Sequence, residues 1–282
     1  MRFWWFLVLI PLYSHAGIFG ADSRVEAYQA DSEVYQRARA TPALIREEML
    51  VKEGESYIAK PMSLQKMGMC SDTAFGAQKS LANCSASLIA PDIILTAAHC
   101  IETQGADKCG NYHIVFDYAE GESTDRFNKE QVFHCKDVLY YKYDLWNDKE
   151  DLAIIQLDRA VTDRAPIKLS SAGPKVSESV TLLGYPLGIP LKSVDDGVVS
   201  LVNAPQLSFR HNLDTFSCNS GGPVFNREGE QIGVLVRGTG TNFDTRPGAG
   251  CYDWGKSGEK DWAEANSLIH LNSLFLLLGI SR

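Results

Sequence analysis

Short apolar segments separated by turn residues run through most of this chain, and they constrain its fold more than any other feature. Ser87-Leu88-Ile89 and Ile93-Ile94-Leu95 are divided by Pro91-Asp92, a pattern typical of a hairpin. Many such segments with turn signals between them predict an all-β barrel or sandwich. Further strands, rich in Val, Ile, Phe and Tyr, are predicted at residues 112–118, 131–141, 152–157, 179–183, 197–202, 224–225 and 232–236.

The two ends of the chain differ from this pattern. Residues 17–55 predict an N-terminal arm, or a removable propeptide, that leads into a first strand. Residues 165–169 fit a connection between two β units, at 56–168 and 169–282. Near the C-terminus, apolar residues spaced for one helical face predict an α-helix over 262–278, with Leu268, Leu271, Phe275 and Leu278 on that face.

Residues 1–16 predict a secretory signal peptide. Arg2 supplies the positive charge, residues 3–13 are apolar, and Ser14-His15-Ala16 offers the small residues that precede a cleavage site. The apolar stretch is shorter than the roughly 20 residues of a membrane span. We therefore expect a secreted or periplasmic protein that begins near Gly17 and is not held in a membrane after cleavage.

The charge balance bears on the partners of the protein. The net charge is −8, the pI is near 5.3, and no basic run occurs, which excludes a typical nucleic-acid-binding surface. A chain of 282 residues with 45% hydrophobic content can bury a full core on its own. We expect a monomer without a cofactor.

Seven cysteines in an exported chain suggest disulfides, with one residue left over. One group combines cysteines with histidines and therefore also offers metal ligands: Cys109, His113, His134 and Cys135. Zinc sites usually show tighter paired spacings. A disulfide between two strands is the simpler interpretation, and no metal is expected. The expected pairs are Cys84–Cys100, Cys109–Cys135 and Cys218–Cys251, with Cys70 unpaired.

The segment Asn219-Ser220-Gly221-Gly222-Pro223 places a serine in a glycine-rich turn before an apolar strand. The two glycines allow backbone angles that other residues avoid, and they leave room for another chain to approach. A nucleophilic serine needs such surroundings. The same residues also make an ordinary turn, so this segment alone does not separate the two interpretations.

A histidine and an acid stand in matching contexts earlier in the chain. His99 follows one apolar strand and Asp151 begins another, which with Ser220 gives the order His, Asp, Ser. Acyl transfer needs a base for the serine proton and a carboxylate that orients this base. A histidine beside a cysteine is usually structural, and an acid at a strand start usually faces water. The three together favour a serine nucleophile.

Four segments of the chain resemble the chymotrypsin-like, or trypsin-like, serine proteases: residues 84–89, 95–100, 151–155 and 219–223. The sixteen-residue separation of Cys84 and Cys100 is similar to that of the family's disulfide beside the histidine. The resemblance covers about residues 80–255 and implies two perpendicular six-stranded antiparallel β-barrels with the active site between them. It also implies a secreted endopeptidase that acts on proteins or peptides through an acyl-enzyme. His99 would be the general base, Asp151 its orienting acid and Ser220 the nucleophile.

The bacterial branch of glutamyl endopeptidases is the closer resemblance. Asn219 stands where trypsins have an aspartate that binds the new N-terminus, and no Ile-Val-Gly-Gly-like sequence occurs upstream. Residues 18–24 are similar to the start of mature proteins in that branch. The resemblance therefore implies that the trypsin-type activating salt bridge is absent.

The predicted oxyanion hole departs from the family at one position. The backbone N–H groups of Cys218 and Ser220 would form it, but the family normally has glycine where this chain has Cys218. A formed hole gives an enzyme, whereas a collapsed one leaves a non-catalytic binding protein on the same fold. An esterase with the same triad is a further alternative.

The residue preference is poorly defined by the sequence. Asp214 precedes Ser220 by six residues, where trypsin-like enzymes carry the acid that selects Arg or Lys, so cleavage after these residues is the first expectation. The glutamyl branch can also have Asp-Thr here, but its glutamate-binding histidine is missing near Leu235. The predicted substrate-binding residues are Asp214, Thr215, Val236, Arg237 and Gly238, and Arg237 could bind an acidic residue, pair with Asp214 or face solvent.

Overall fold

The computed structural model describes residues 17–101, 109–144, 146, 149–205 and 207–280, and the predicted signal peptide lies outside these ranges. The described residues contain the helices α1 (Ser32–Arg39) and α2 (Asn272–Leu277). The strands in chain order are β1 (Val25–Glu26), β2 (Ala43–Arg46), β3 (Val51–Glu53), β4 (Ser56–Ile58), β5 (Met62–Ser63), β6 (Lys79–Ser80), β7 (Cys84–Ser85), β8 (Ser87–Ala90), β9 (Ile93–Thr96), β10 (Tyr112–Val115), β11 (Arg126–Asn128), β12 (Val132–Tyr143), β13 (Asp151–Leu157), β14 (Ser179–Gly184), β15 (Lys192–Val202), β16 (Ser208–His211), β17 (Pro223–Phe225), β18 (Gln231–Gly238), β19 (Phe243–Thr245), β20 (Tyr252–Trp254) and β21 (Ala263–Ser267).

The first large sheet has the strand order β7-β2-β10-β12-β13-β9-β8. Only Ala86 separates β7 from β8, so one continuous path pairs with β2 at one end and with β9 at the other. This path closes the sheet into a six-stranded antiparallel barrel. Strand β13 lies between β12 and β9 and is buried along nearly its whole length, which explains its run of Leu, Ala and Ile.

The second large sheet has the order β1-β15-β14-β17-β18-β21-β16, and an additional pairing of β15 with β16 closes it. Its closed part again contains six antiparallel strands, while the two-residue β1 adds an edge beside Lys192 and Ser193. A separate apolar cluster fills this barrel, and its fully buried members include Phe209, Leu213 and Val224. The predicted fold class, two antiparallel barrels with a C-terminal helix, is confirmed.

The range predicted as an arm or propeptide contributes to both barrels. Strand β1 pairs with the second barrel, and β2 lies between β7 and β10 in the first. Between them, α1 begins after Asp31, whose side chain accepts the N–H groups of Glu33 and Val34, both at 2.9 Å. Removal of residues 17–55 would therefore leave β7 and β10 without their common neighbour.

The C-terminal helix is shorter than the sequence predicts. Only the 3₁₀ turn Ile269–Leu271 and α2 are helical, and Leu271 and Phe275 are buried as the helical spacing requires. Residues 263–267 instead form β21, which pairs with β16 on one side and β18 on the other. Two ladders of backbone hydrogen bonds outweigh the local helical preference there. No helix among the described residues is long and apolar enough to cross a membrane.

Three disulfides join the described cysteines, and two of them were predicted. Cys84–Cys100 and Cys109–Cys135 are confirmed, but the predicted Cys218–Cys251 pair is wrong. Cys251 is bonded to Cys70, because Cys70 donates its N–H to the carbonyl of Tyr252 at 2.9 Å and this contact brings the two chain segments together. Cys218 is the free cysteine.

Candidate active site

His99 and Asp151 come together because the strands that precede and contain them are neighbours. His99 lies in the 3₁₀ turn that follows β9, and Asp151 is the first residue of β13, which pairs with β9. The backbone N–H of His99 donates to Oδ1 of Asp151 at 2.9 Å, and its ring Nδ1 lies 2.6 Å from Oδ2. Asp151 is buried. Because a carboxylate accepts this bond, Nδ1 carries the hydrogen and Nε2 can accept one.

A buried amide side chain of the second barrel, that of Asn266, binds the backbone of Asp151. Oδ1 of Asn266 accepts the N–H of Asp151 at 2.7 Å, and Nδ2 donates to the carbonyl of Lys149 at 3.1 Å. Asn266 lies in β21, within the segment that the sequence predicts as a helix. Its role was therefore missed: an asparagine in a predicted helix gives no signal that it contacts Asp151.

Ser220 lies in a tight turn that packs against the first barrel. The carbonyl of Ser220 accepts the N–H of Ser85 at 2.7 Å. The next residue, Gly221, has a φ of +84°, and a Cβ there would lie 2.0 Å from the carbonyl oxygen of Ser85. Only glycine fits such a close approach. The disulfide Cys84–Cys100 joins the residue before Ser85 to the residue after His99, so Ser220 and His99 flank the same bridge.

The three predicted residues thus lie in segments that meet at the Cys84–Cys100 disulfide. Ser220 is partly exposed, and within the described residues no hydrogen bond joins its hydroxyl to the His99 ring. Hydrogen bonds of this kind are often long in unliganded sites and shorten when substrate binds. Tyr143 lies beside the His99 ring, with a centroid separation of 6.4 Å.

The predicted oxyanion peptide has a defined orientation. The carbonyl of Ser217 accepts the N–H of Leu187 at 2.7 Å, and the carbonyl of Cys218 accepts Oγ of Ser85 at 3.1 Å. In a trans peptide the N–H points opposite to the preceding carbonyl, so the N–H of Cys218 is directed away from Leu187. Among the described residues, neither this N–H nor that of Ser220 has an acceptor.

Cys218 adopts the conformation that glycine would supply. Its φ is +71°, in the left-handed region that residues with a Cβ rarely adopt. Burial raises the pKa of its thiol to about 12, so the sulfur stays protonated at neutral pH and is a poor nucleophile. The cysteine therefore preserves the backbone path of a glycine without adding a reactive group.

Asp214 does not lie open to substrate, which corrects the sequence-based expectation. It is 1% exposed, and its carboxylate accepts the N–H of Phe19 at 2.7 Å and both the N–H and hydroxyl of Ser23, at 3.0 and 3.1 Å. The pKa of Asp214 is raised, because burial raises it more than these hydrogen bonds lower it. The N-terminal arm has taken the acceptors that a basic substrate side chain would need. Selection of Arg or Lys by Asp214 therefore has no structural support.

The other predicted substrate-binding residues lie along one strand and the Ser220 loop. Pairing of β18 with β17 ends at Val234. Among the described residues, Arg237 and Gly238 pair with β21 alone, and Val236 lies in a bulge between the paired Leu235 and Arg237. Arg237 pairs with the buried Glu264 at 2.5 Å, not with Asp214. Thr215 is buried and donates its N–H to the carbonyl of Gly17 at 3.4 Å.

The cysteine and histidine groups do not offer a complete set of metal ligands. Cys109 and Cys135 are bonded to each other, which leaves His113 and His134 of the predicted alternative. In the described part of the chain one cluster of three ligand types occurs, Cys84, His99 and Cys100, but its two sulfur atoms form a disulfide.

Comparisons with known proteins all find similarity to peptidases. A family model described as the trypsin-like peptidase domain matches residues 84–234, more than half of the chain. Over 76 residues the chain is 30% identical to the glutamyl endopeptidase of Staphylococcus epidermidis, and the match covers 27% of each protein. The chain thus spans about a quarter of the length of that relative.

Two solved structures share the fold at low identity. One is a Glu endopeptidase in complex with MPD, with a TM-score of 0.56 and 14% identity, covering 94% of this chain and 100% of that one. The other is neuropsin, a serine protease expressed in the limbic system of mouse brain, with a TM-score of 0.54, 14% identity and coverage of 86% and 96%.

Proposed function

The chain belongs to the trypsin-like peptidase family, and on this premise we propose that it is a secreted serine endopeptidase that uses His99, Asp151 and Ser220. The observation that carries the proposal is the glycine-like conformation of Cys218. It supports a formed oxyanion hole, and this hole is the feature that separates an enzyme from the non-catalytic alternative.

The proposed reaction follows from the contacts of the three residues. Nε2 of His99 takes the proton of Ser220 as Oγ attacks the peptide carbonyl, and Asp151 stabilises the imidazolium that forms. The tetrahedral oxyanion accepts the N–H groups of Cys218 and Ser220. His99 then returns the proton to the leaving amine, and an acyl-enzyme remains. Water, deprotonated by His99, hydrolyses this ester and restores Ser220.

The substrate is proposed to bind as an extra strand. Residues 236–238 offer backbone groups on the side of β18 where the described part of the chain supplies no strand, and an extended peptide can pair with such an edge. The three disulfides support an exported protein, since they persist in oxidising compartments. The signal peptide and the monomeric state remain predictions.

An activity-based label tests the proposal. The full chain, produced in an oxidising compartment, is treated with an uncharged fluorophosphonate, and the intact mass is measured beside Ser220→Ala. We expect one phosphonyl group on the wild type and none on the variant. Well-folded protein that stays unlabelled would refute the enzyme in favour of the binding protein. Comparison of matched peptide and ester substrates separates an endopeptidase from an esterase.

A further inference from the structure

The N-terminal arm donates three hydrogen bonds to one buried carboxylate, that of Asp214, in the loop that carries Ser220. All three donors to Asp214 come from Phe19 and Ser23, so the arm supplies its entire hydrogen-bond shell among the described residues. Arg24 follows in sequence, but it forms a bidentate pair with Asp22 at 2.7 and 2.8 Å. A buried carboxylate without these donors would be strongly unfavourable.

The arm also packs against the same loop through an apolar group that we call the arm cluster. In this cluster Ile18 of the arm is buried together with Phe216 of the loop that carries Ser220. The full set of buried members is Ile18, Leu64, Met69, Leu187, Ile189, Phe216 and Trp254. The guanidinium of Arg24 lies 3.8 Å from the ring centre of Trp254 and 4.7 Å from that of Phe216. This cation therefore holds the two rings together from the arm side.

Two members of the arm cluster bear directly on the oxyanion peptide. Phe216 immediately precedes Ser217, and Leu187 donates its N–H to the Ser217 carbonyl at 2.7 Å. That bond sets the orientation of the Ser217–Cys218 peptide. Because Cys218 has a positive φ, which carries a steric cost for a residue with a Cβ, the orientation depends on contacts of this kind.

Backbone contacts hold the start and the end of the arm in place. Gly17 donates its N–H to Oγ of Ser257 at 2.8 Å, and Ile18 donates to the carbonyl of Gly255 at 2.9 Å. At the other end, Glu26 pairs with Nζ of the fully buried Lys192 at 3.0 Å. Residues 17–26 therefore lie along the second barrel on both sides of the Asp214 contact.

We infer that residues 17–26 are a retained positioning segment, anchored by Asp214, that holds the Ser217–Cys218 peptide in its oxyanion-binding orientation. This inference rests on the proposed function. It assigns to Asp214 the role of a positioning residue in place of substrate selection. Asn219 is an uncharged amide and cannot form an activating salt bridge. The arm orients the oxyanion peptide instead, through Asp214 and the arm cluster.

The variant Asp214→Asn tests the inference, because the amide keeps the size of the side chain but turns an NH₂ group toward an N–H donor of the arm. We expect the fluorophosphonate labelling rate to fall at least 10-fold, toward the roughly 10²–10³-fold that one oxyanion donor is worth. The matched control is Asp253→Asn, whose carboxylate binds Arg246 and Thr73 and does not contact the arm. Its labelling rate should equal that of the wild type.

Rescue distinguishes positioning from a general loss of stability. Glycine at position 218 accepts a positive φ without strain, so the peptide should depend less on the arm. We expect Cys218→Gly combined with Asp214→Asn to regain most of the lost rate, although the melting temperature of the double variant stays low. If Asp214→Asn does not fold, Ser23→Ala removes one donor and should give a smaller loss that Cys218→Gly also rescues.

The outcomes separate this inference from the proposed function. If Asp214→Asn is labelled like the wild type but loses activity on Arg and Lys esters, Asp214 selects substrates and the inference is overturned. If the wild type is not labelled, the proposed function fails, and hydrogen exchange decides the inference. Faster exchange of residues 216–222 in Asp214→Asn, but not in Asp253→Asn, supports the arm contact, and equal exchange refutes it.

Discussion

Replacement of Asn266 by alanine tests how Asp151 is held in the site. The buried N–H of Asp151 would lose its acceptor at 2.7 Å, and an unpaired buried donor costs about 1–3 kcal/mol. The carbonyl of Lys149 would also lose its donor, but this residue is exposed and water can replace the bond. We therefore expect the free energy of unfolding to fall by about 1–3 kcal/mol.

The same change should slow the proposed reaction more than it weakens substrate binding. Without Asn266, residues 149–151 can shift, and Asp151 then orients His99 less well. We expect kcat to fall at least about 10-fold and less than the roughly 10⁴-fold that follows when a triad acid no longer sets the histidine tautomer. KM should change less, because Asp151 makes no contact with substrate in the proposed reaction.

Urea denaturation and substrate hydrolysis measure the two effects separately, and the chain offers a matched control. Asn226 is also buried, and its Oδ1 accepts the N–H of Glu230 at 2.9 Å in the turn between β17 and β18. Asn226→Ala should lose comparable stability with an unchanged kcat. Equal kcat values for wild type and Asn266→Ala, or equal losses in the two variants, would show that the Asn266 contact does not position Asp151.

Three further predictions concern backbone geometry and pH. Gly221→Ala should abolish labelling of Ser220 in mass spectra, because its Cβ would lie 2.0 Å from the carbonyl oxygen of Ser85. Burial would raise the pKa of Glu150, but the hydrogen bond from His270 helps lower it to about 2, so stability in urea titrations should decline as pH falls from 4.5 toward 2, and less so in Glu150→Gln. Burial lowers the pKa of His113 from 6.5 to about 4, so the unfolded chain binds this proton at a higher pH than the folded protein. The wild type should lose stability as pH falls from 6.5 toward 4, and His113→Phe should lose less over the same interval, where the buried His211 still contributes. A wild-type stability that is flat with pH across these intervals would contradict both assignments.

The barrel strands were readable from the sequence because burial makes them apolar. The core strand β13 is an example: its buried Leu, Ala and Ile run matches the predicted 152–157. Strand β21 was not readable, since Ala263, Glu264 and Asn266 carry no strand preference and their pairing with β16 and β18 decides the conformation. Leu271 and Phe275 do follow a helical spacing, but the predicted helix was extended from them too far toward the N-terminus, into β21.

Residues of the candidate site could be predicted from the sequence where a short segment indicates their role. They could not be predicted where the role depends on contacts between residues that are far apart in the chain. His99, Asp151 and Ser220 each stand in a recognisable local segment, and the structure places these segments side by side. Asp214 also stands in such a segment, but its partners lie nearly two hundred residues away in the arm. The Cys70–Cys251 bond likewise closes a separation of 181 residues, which no local pattern records.

The path of the arm has a consequence for the order of assembly. Residues 17–26 are made early, yet their partners are Lys192, Asp214, Gly255 and Ser257. The first barrel and its two internal disulfides can form while the second barrel is still being synthesised. The contacts of the arm can form only after residues near 257 have been synthesised, although the arm precedes these residues in the chain. In a nascent or truncated chain, Ser220 therefore lacks part of its surroundings, and the proposed activity would require the finished second barrel.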